Sequence, residues 1–320
     1  MNPASAVQIM PMVPWAMRPA SPWPWPRPTP DHHREPRLPA RFPAERELGG
    51  GGACRVFLSR DAALGRSIVV KALLGDRAQP HDRARFRREI AVTARLQHPN
   101  IVAVLAAGHA AGGDEYYTMP YLDGGSLRDL LRGGALPVST ALRIARELAA
   151  ALHYTHARDI VHRDVKPANV LFSDGHPVLV DFGIAYPLST FTEARLTTTG
   201  LLVGTPIYMS PEQSAGDAAI DGRTDVYALG CVLHEMLTGQ PPFHGRDDVV
   251  LCRRLRERPP RPSALRPELS PEVDAVVTRA LAPLPTARFA TAAELGAAIA
   301  RAERRPVRGR LWRALDHRRW

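Results

Sequence analysis

Of the 42 basic residues in this chain of 320, only Lys71 and Lys166 are lysine; the other forty are arginine. In a chain that supplies positive charge as guanidinium, the two exceptions mark places that need a compact ammonium on a flexible stem rather than a rigid planar fork. Lys71 closes the strand-like run Ile68-Val69-Val70-Lys71, and Lys166 lies within His162-Arg163-Asp164-Val165-Lys166-Pro167-Ala168-Asn169. Both place a compact cation beside other polar or apolar elements where it could meet an anionic group such as phosphate. Twelve residues beyond Asn169 comes a further carboxylate, in Asp181-Phe182-Gly183. Ahead of Lys71, the run Leu48-Gly49-Gly50-Gly51-Gly52-Ala53-Cys54-Arg55-Val56 sits between two strand signals. Glycines there let backbone N–H groups approach phosphate oxygens with no Cβ in the way. Taken alone, such a run reads equally well as a flexible turn.

These residues need elements to position them. Strand-like segments at 41–48, 55–59 and 67–73 precede a helix over about 83–97, whose stripe Phe86, Ile90 and Thr93 has helical spacing and which His98-Pro99-Asn100 should stop. Strand signals at 101–106 and 116–119 lead into Asp123-Gly124-Gly125, a flexible crossing before a helical pattern at 138–157. The order suits an α+β chain with a small β-rich lobe followed by a larger helical lobe. No internal repeat is evident.

The length allows about two domains at ~100–200 residues each. The net charge of +10 is concentrated in two tails, which also hold all five tryptophans: Trp15, Trp23 and Trp25 before residue 40, Trp312 and Trp320 after residue 303. Residues 1–40 are proline- and tryptophan-rich and are expected to be extended. Residues 303–320 are arginine-rich; a solvated tail is the first reading, and weak contact with an anionic membrane surface through Leu311, Trp312 and Leu315 the second. Cys54, Cys231 and Cys252 are too scattered for a disulfide framework or zinc site, and His153, His156 and His162 lack the companions of a metal cluster. With no apolar run of ~18 residues and no leader, a cytoplasmic protein is expected.

Taken in order, the motifs of residues 41–302 resemble those of the bacterial, eukaryotic-like (Hanks-type) serine/threonine protein kinases. The resemblance implies a bilobal fold, with a small lobe at about 41–119, a hinge at 120–125 and a large lobe at about 126–302. It implies an ATP- and magnesium-dependent enzyme, with manganese as the alternative ion, acting on protein serine and threonine. Leu48, the glycines 49–52 and Val56 would cover the nucleotide. Lys71, paired with Glu89, would hold the α- and β-phosphates. Met119 would limit the back of the adenine site, with the Pro120 carbonyl and Leu122 N–H reading adenine. Asp164 would orient the substrate hydroxyl and take its proton, Lys166 would stabilise the transferring γ-phosphoryl group, and Asn169 and Asp181 would hold the metal. Thr205 would help dock the peptide, while Glu212, Arg288 and Asp225 would be structural, the last bracing the catalytic loop. The lysine at 166 and Gly204-Thr205-Pro206 favour serine/threonine over tyrosine kinases.

Activation-loop threonines in kinases of this type fall eight and six residues before the Gly-Thr threonine, which points to autophosphorylation at Thr197 and Thr199 and to Arg163 as the group that binds the phosphate. Two departures stand out: Cys54 replaces the third glycine of the phosphate loop, and Leu281-Ala282-Pro283-Leu284-Pro285 lacks the usual charges. Cys54 puts ATP affinity in question and leaves a pseudokinase scaffold as one alternative; a small-molecule phosphotransferase is the other. The implied partners are ATP and protein substrates, with dimerisation open and no specific nucleic acid.

Overall fold

The protein, described as a computed structural model, is placed over residues 38–51, 53–110, 113–182, 206–217, 220–245, 253 and 257–304. The small lobe is a five-stranded antiparallel sheet made of β1 (Ala44–Gly51), β2 (Cys54–Asp61), β3 (Arg66–Leu73), β4 (Ala106–His109) and β5 (Glu115–Pro120), in spatial order β1-β2-β3-β5-β4. The central strand β3 is covered on both faces. Ile68 and Val70 pack with Phe42 on one side, while Val69 and Leu73 face Phe86 and Met119 on the other. Side chains alternate along a strand, so Lys71 shares the second face. Burying each of these apolar side chains contributes about 1.5–3 kcal/mol, which offsets the several kcal/mol of desolvation for the buried lysine charge.

The helix across that face, α1, runs Pro80–Thr93, three residues earlier at its start and four earlier at its end than the periodicity predicts. Proline at the first helical position and the reciprocal Gln79–Asp82 capping box set the start. The end tightens through Arg95 N–H to Val92 O and Leu96 N–H to Thr93 O, three-residue bonds that turn Leu96 into the core before His98 is reached. The strand expected at 101–106 also differs. Ile101 forms only an isolated bridge to Leu179, and Val102 N–H donates to the Leu179 carbonyl, so this apolar run joins the large lobe, and β4 begins at Ala106.

One short helix and one long one open the large lobe's chain: α2 (Leu127–Leu131) and then α3 (Val138–His156) precede the hairpin β6 (Val170–Ser173) and β7 (His176–Leu179). Further on come α4 (Pro211–Ala215), α5 (Arg223–Thr238), α6 (Pro262–Leu265), α7 (Pro271–Ala280) and α8 (Ala292–Glu303). The central α5 is buried along nearly its whole length, and a Cβ on its Gly230 would lie 2.9 Å from the Ala280 Cβ, so only glycine lets α5 and α7 approach this closely. Leu171, Val178 and Val180 of the large lobe belong to the same apolar cluster as Leu48, Val56, Met119 and Leu122 of the small lobe. The cleft between the lobes therefore has a shared apolar floor. Among the described residues, no helix is long and apolar enough to cross a membrane.

Candidate active site

On the upper side of the cleft, Lys71 Nζ donates to Glu89 Oε1 at 2.7 Å and to Asp181 Oδ1 at 2.8 Å. The Tyr117 hydroxyl donates to the same Glu89 oxygen, also at 2.7 Å. Glu89 is buried rather than lying on the helix surface, as an Arg-Arg-Glu sequence would suggest in isolation. Burial works against the Lys71 charge, but Asp181 and Glu89 outweigh it and hold the ammonium pKa well above its ordinary value. Lys71 is thus a fixed cation joining the small lobe to Asp181, two residues beyond the end of β7.

Beside it, β1 carries Gly49, Gly50 and Gly51 in register with Val56, Arg55 and Cys54 of β2. A Cβ on Gly50 would lie 2.5 Å from the Cys54 carbonyl oxygen, so a glycine is required there by the turning hairpin itself. Cys54 belongs to β2 and pairs with Leu73 of β3. Burial pushes its thiol up to about 11 despite the neighbouring Lys71, which makes it an unreactive small side chain at neutral pH. Leu48, Val56, Met119 and Leu122 are buried on the floor described above, and Pro120 ends β5 opposite Ile68.

On the lower side, Lys166 Nζ donates to Asp164 Oδ2 at 2.7 Å, and the Asn169 amide nitrogen donates to Asp164 Oδ2 at 2.8 Å and to its carbonyl at 2.9 Å. The amide oxygen of Asn169 is thereby turned away from Asp164. Asp225, at the start of α5, accepts the backbone N–H groups of His162 and Arg163, each at 2.8 Å, and His156 Nε2 lies 2.8 Å from the same carboxylate. Burial opposes the Asp225 charge, but the His156 bond, with further help from His162, brings its pKa below the ordinary carboxylate value.

Two non-glycine residues flanking this cluster adopt left-handed backbone, Arg163 at φ 67° and Asp181 at φ 56°. Such conformations cost about 1–3 kcal/mol each and persist where the surroundings over-determine them. For Arg163 the determinants are visible: its N–H is held by Asp225 and its carbonyl accepts from Gln213 Nε2 at 2.9 Å. The Phe182 ring is buried against His162, with centroids 4.6 Å apart. Below, Arg288 grips Glu212 with two bonds of 2.6 and 2.8 Å and also donates to the carbonyls of Ala282, Pro283 and Arg223.

Lys71, Glu89, Asp164, Lys166, Asn169 and Asp181, spread over about a third of the sequence, are brought to one cleft. Thr197, Thr199, Thr205, Gly52 and Cys252, with residues 1–37 and 305–320, lie outside the described residues. Tyr117 and Gln213 escaped the sequence reading. Gln213 was within reach, since Ser210-Pro211-Glu212-Gln213 has capping-box spacing and does form one. Tyr117 was not, because its meeting with Glu89 depends on the β3–β5 register that sets it opposite Lys71.

The chain matches the family described as protein kinase domain over residues 42–297. It is 44% identical over 273 residues to the serine/threonine-protein kinase PknB of Mycobacterium leprae, covering 83% of this chain and 43% of that one. To PknJ of Mycobacterium bovis, another serine/threonine-protein kinase, it is 41% identical over 82% of this chain and 45% of the other. The crystal structure of the Mycobacterium tuberculosis PknI kinase domain superposes with a TM-score of 0.64 at 33% identity, covering 82% of this chain and 96% of that domain. The chain belongs to the protein kinase family, in its bacterial serine/threonine branch. It spans less than half the length of the curated relatives it matches. The family uses ATP and a divalent metal.

Proposed function

We propose that this chain transfers the γ-phosphoryl group of magnesium-ATP to serine and threonine hydroxyls of proteins. The observation that carries the reading is Lys71 bonded at once to Glu89 of α1 and to Asp181 of the opposite lobe, at 2.7 and 2.8 Å. That arrangement sets a permanent cation where the two halves of a nucleotide cleft close. Lys71 would bind the α- and β-phosphates, while the β1–β2 glycines offer backbone N–H groups and Met119, Pro120 and Leu122 receive the adenine.

Asp164 orients the acceptor hydroxyl and takes its proton as that oxygen forms a bond to the γ-phosphorus and the bond to the β-phosphate oxygen breaks, releasing ADP. Lys166, already on Asp164, balances charge on the group in transit. Asn169 and Asp181 would hold the magnesium. The donor set fits: magnesium is held by one or two protein oxygens plus substrate phosphates rather than by a closed protein cage. When bound, the ion neutralises phosphate charge. Thr205 would help seat the acceptor peptide. Autophosphorylation at Thr197 and Thr199, read by Arg163, would order the loop; support for it is the spacing to Thr205 alone.

Incubation with labelled ATP and magnesium tests the reading. The wild type should label itself and an added protein at serine or threonine, and Asp164→Asn should lower transfer by ~10²–10⁴-fold. Equal transfer by the two proteins, or transfer to small molecules alone, would overturn it.

A further inference from the structure

Strand β5 meets α1 through two side chains that no kinase motif specifies. Glu115 and Tyr117 are two residues apart and so project from the same face of the strand. Glu115 is buried and accepts from Arg87 through Nε and Nη2, both at 2.8 Å, and from Arg83 at 3.3 Å. Arg83 and Arg87 are one turn apart on α1, so a single carboxylate spans the outer half of the helix. Arg83 also donates to the Gly75 carbonyl at 2.8 Å, while Asp114 accepts the Gly75 N–H at 2.8 Å, so the loop leading from β3 to α1 is held from the same place.

Tyr117 grips the inner half. Its ring packs on Phe86 with centroids 5.5 Å apart, and its hydroxyl bonds Glu89. Lys71 and Tyr117 are register partners on adjacent strands, and both donate to the same oxygen, Glu89 Oε1. One carboxylate oxygen has room for two such donors. With two donors arriving from fixed strand positions, a glutamate side chain with three rotatable bonds is left a single orientation. With the lysine alone, the pair can swing together.

We propose that Tyr117 is a positioning residue for the phosphate-binding lysine: its hydroxyl bond to Glu89, backed by the Glu115 clasp on Arg83 and Arg87, fixes α1 on β5 so that the Lys71 ammonium is presented in one place. The proposal rests on the kinase reading above. The hydroxyl is suited to this task because burial and the nearby Glu89 raise its pKa well above that of an ordinary tyrosine, which keeps it a donor at every working pH.

Because the chain has two lysines, an acyl-phosphate derivative of ATP offers a direct readout: mass spectrometry gives the ratio of Lys71 to Lys166 labelling within one molecule. Tyr117→Phe keeps the ring on Phe86 and removes only the donor. It should lower that ratio and raise KM for magnesium-ATP by about five- to tenfold, with KM for an acceptor peptide unchanged, on the scale of the net contribution of one ordinary hydrogen bond. Glu115→Gln, which touches neither lysine, should move both quantities in the same direction by less. A purely structural role would lower the melting temperature and leave the ratio alone. A Lys71 to Lys166 ratio within about twofold of wild type in Tyr117→Phe overturns the proposal, whatever the melting temperature does. Labelling requires nucleotide binding but no turnover. Failure of wild-type transfer would therefore count against the kinase reading, and an unmoved ratio against the role of Tyr117.

Discussion

The two lysines of this protein are held by opposite devices. Lys71 has a side chain only 9% exposed and is fixed by other side chains, through Glu89, Asp181 and the Tyr117 bond behind them. Lys166 is 34% exposed and donates to Asp164, while the loop that carries it is fixed through its backbone by the buried Asp225. The upper half of the cleft therefore depends on where one helix lies on one sheet. The lower half is tied to α5, the most deeply buried helix among the described residues of the large lobe. A small rotation of α1 could separate Glu89 from Lys71 without disturbing Asp164, whereas nothing short of opening the large-lobe core would displace the catalytic loop.

The largest expected effect tests the rigidity of the lower half. The Arg288 side chain is fully buried, and its two bonds to Glu212 are joined by three to backbone carbonyls. Arg288→Ala leaves Glu212 as a buried carboxylate with its main partner gone, and breaking a buried pair in this way costs about 3–5 kcal/mol. Urea unfolding should show a loss of that size, with Arg288→Lys recovering only part of it because an ammonium cannot reproduce the fork. A loss below about 1 kcal/mol, the size of a surface ion pair, would mean that the large lobe is not the rigid partner in the comparison.

Lys71→Met addresses the upper half. The thioether keeps the stem but removes the cation that joins the lobes, and transfer should fall by ~10²–10³-fold, the cost of removing one preorganised electrostatic contact. Circular dichroism should still show a cooperatively melting protein, because the β3 core residues Val69, Val70 and Leu73 are untouched. Activity within about tenfold of wild type would show that the buried pair is structural and that phosphate is held by other groups.

The lower half should also be acid-sensitive. Asp225 has a folded-state pKa below its unfolded value, so its ionised form contributes stability that is complete above the usual carboxylate range and is lost as pH falls through the folded value. Glu212, lowered by Arg288 against the opposing effect of burial, acts in the same direction. Thermal melts should therefore be nearly flat between about pH 5 and 7 with respect to these two groups and fall below about pH 4. Asp225→Asn should flatten part of that acid limb and cost about 1–3 kcal/mol near neutrality, since an amide presents only one acceptor oxygen to two backbone N–H groups. An unchanged acid limb in the variant would place the sensitivity elsewhere.

The same contrast explains what could be read from the sequence. The lower half was legible because its residues lie close together in the chain: Asp164, Lys166 and Asn169 within six positions, Asp181 twelve further on, and Asp225 at a recognisable helix start. The strands of the small lobe were legible as elements but not as partners. Nothing in Glu115-Tyr116-Tyr117-Thr118-Met119 announces that Tyr117 will face Lys71, because that follows from β5 pairing with β3 rather than with β4 alone. Residues 101–105 misled for a similar reason. Their apolar character was real, but Val102 N–H found its acceptor at Leu179, in the other lobe.

Cys54 carries the smallest expected effect and offers the finest test of the upper half. Its thiol neighbours Lys71, whose charge favours a thiolate, while burial and the carboxylates of Glu89 and Asp181 oppose it; the balance leaves the pKa at about 11. Burial is the largest of these effects, and the two carboxylates add to it by offsetting the Lys71 charge. Iodoacetamide at pH 7.5 should therefore modify Cys54 slowly, and Cys54→Gly should cost only about 0.5–1 kcal/mol, the penalty of a glycine within a strand. In the Tyr117→Phe variant, where Glu89 has lost one of its two donors, any loosening of the ion pair would free part of the Lys71 charge to stabilise the thiolate, so Cys54 alkylation should speed up. Rapid alkylation of Cys54 in the wild type would mean that the thiol is not buried beside a neutralised Lys71, and the account of the upper cleft as a closed side-chain network would fail.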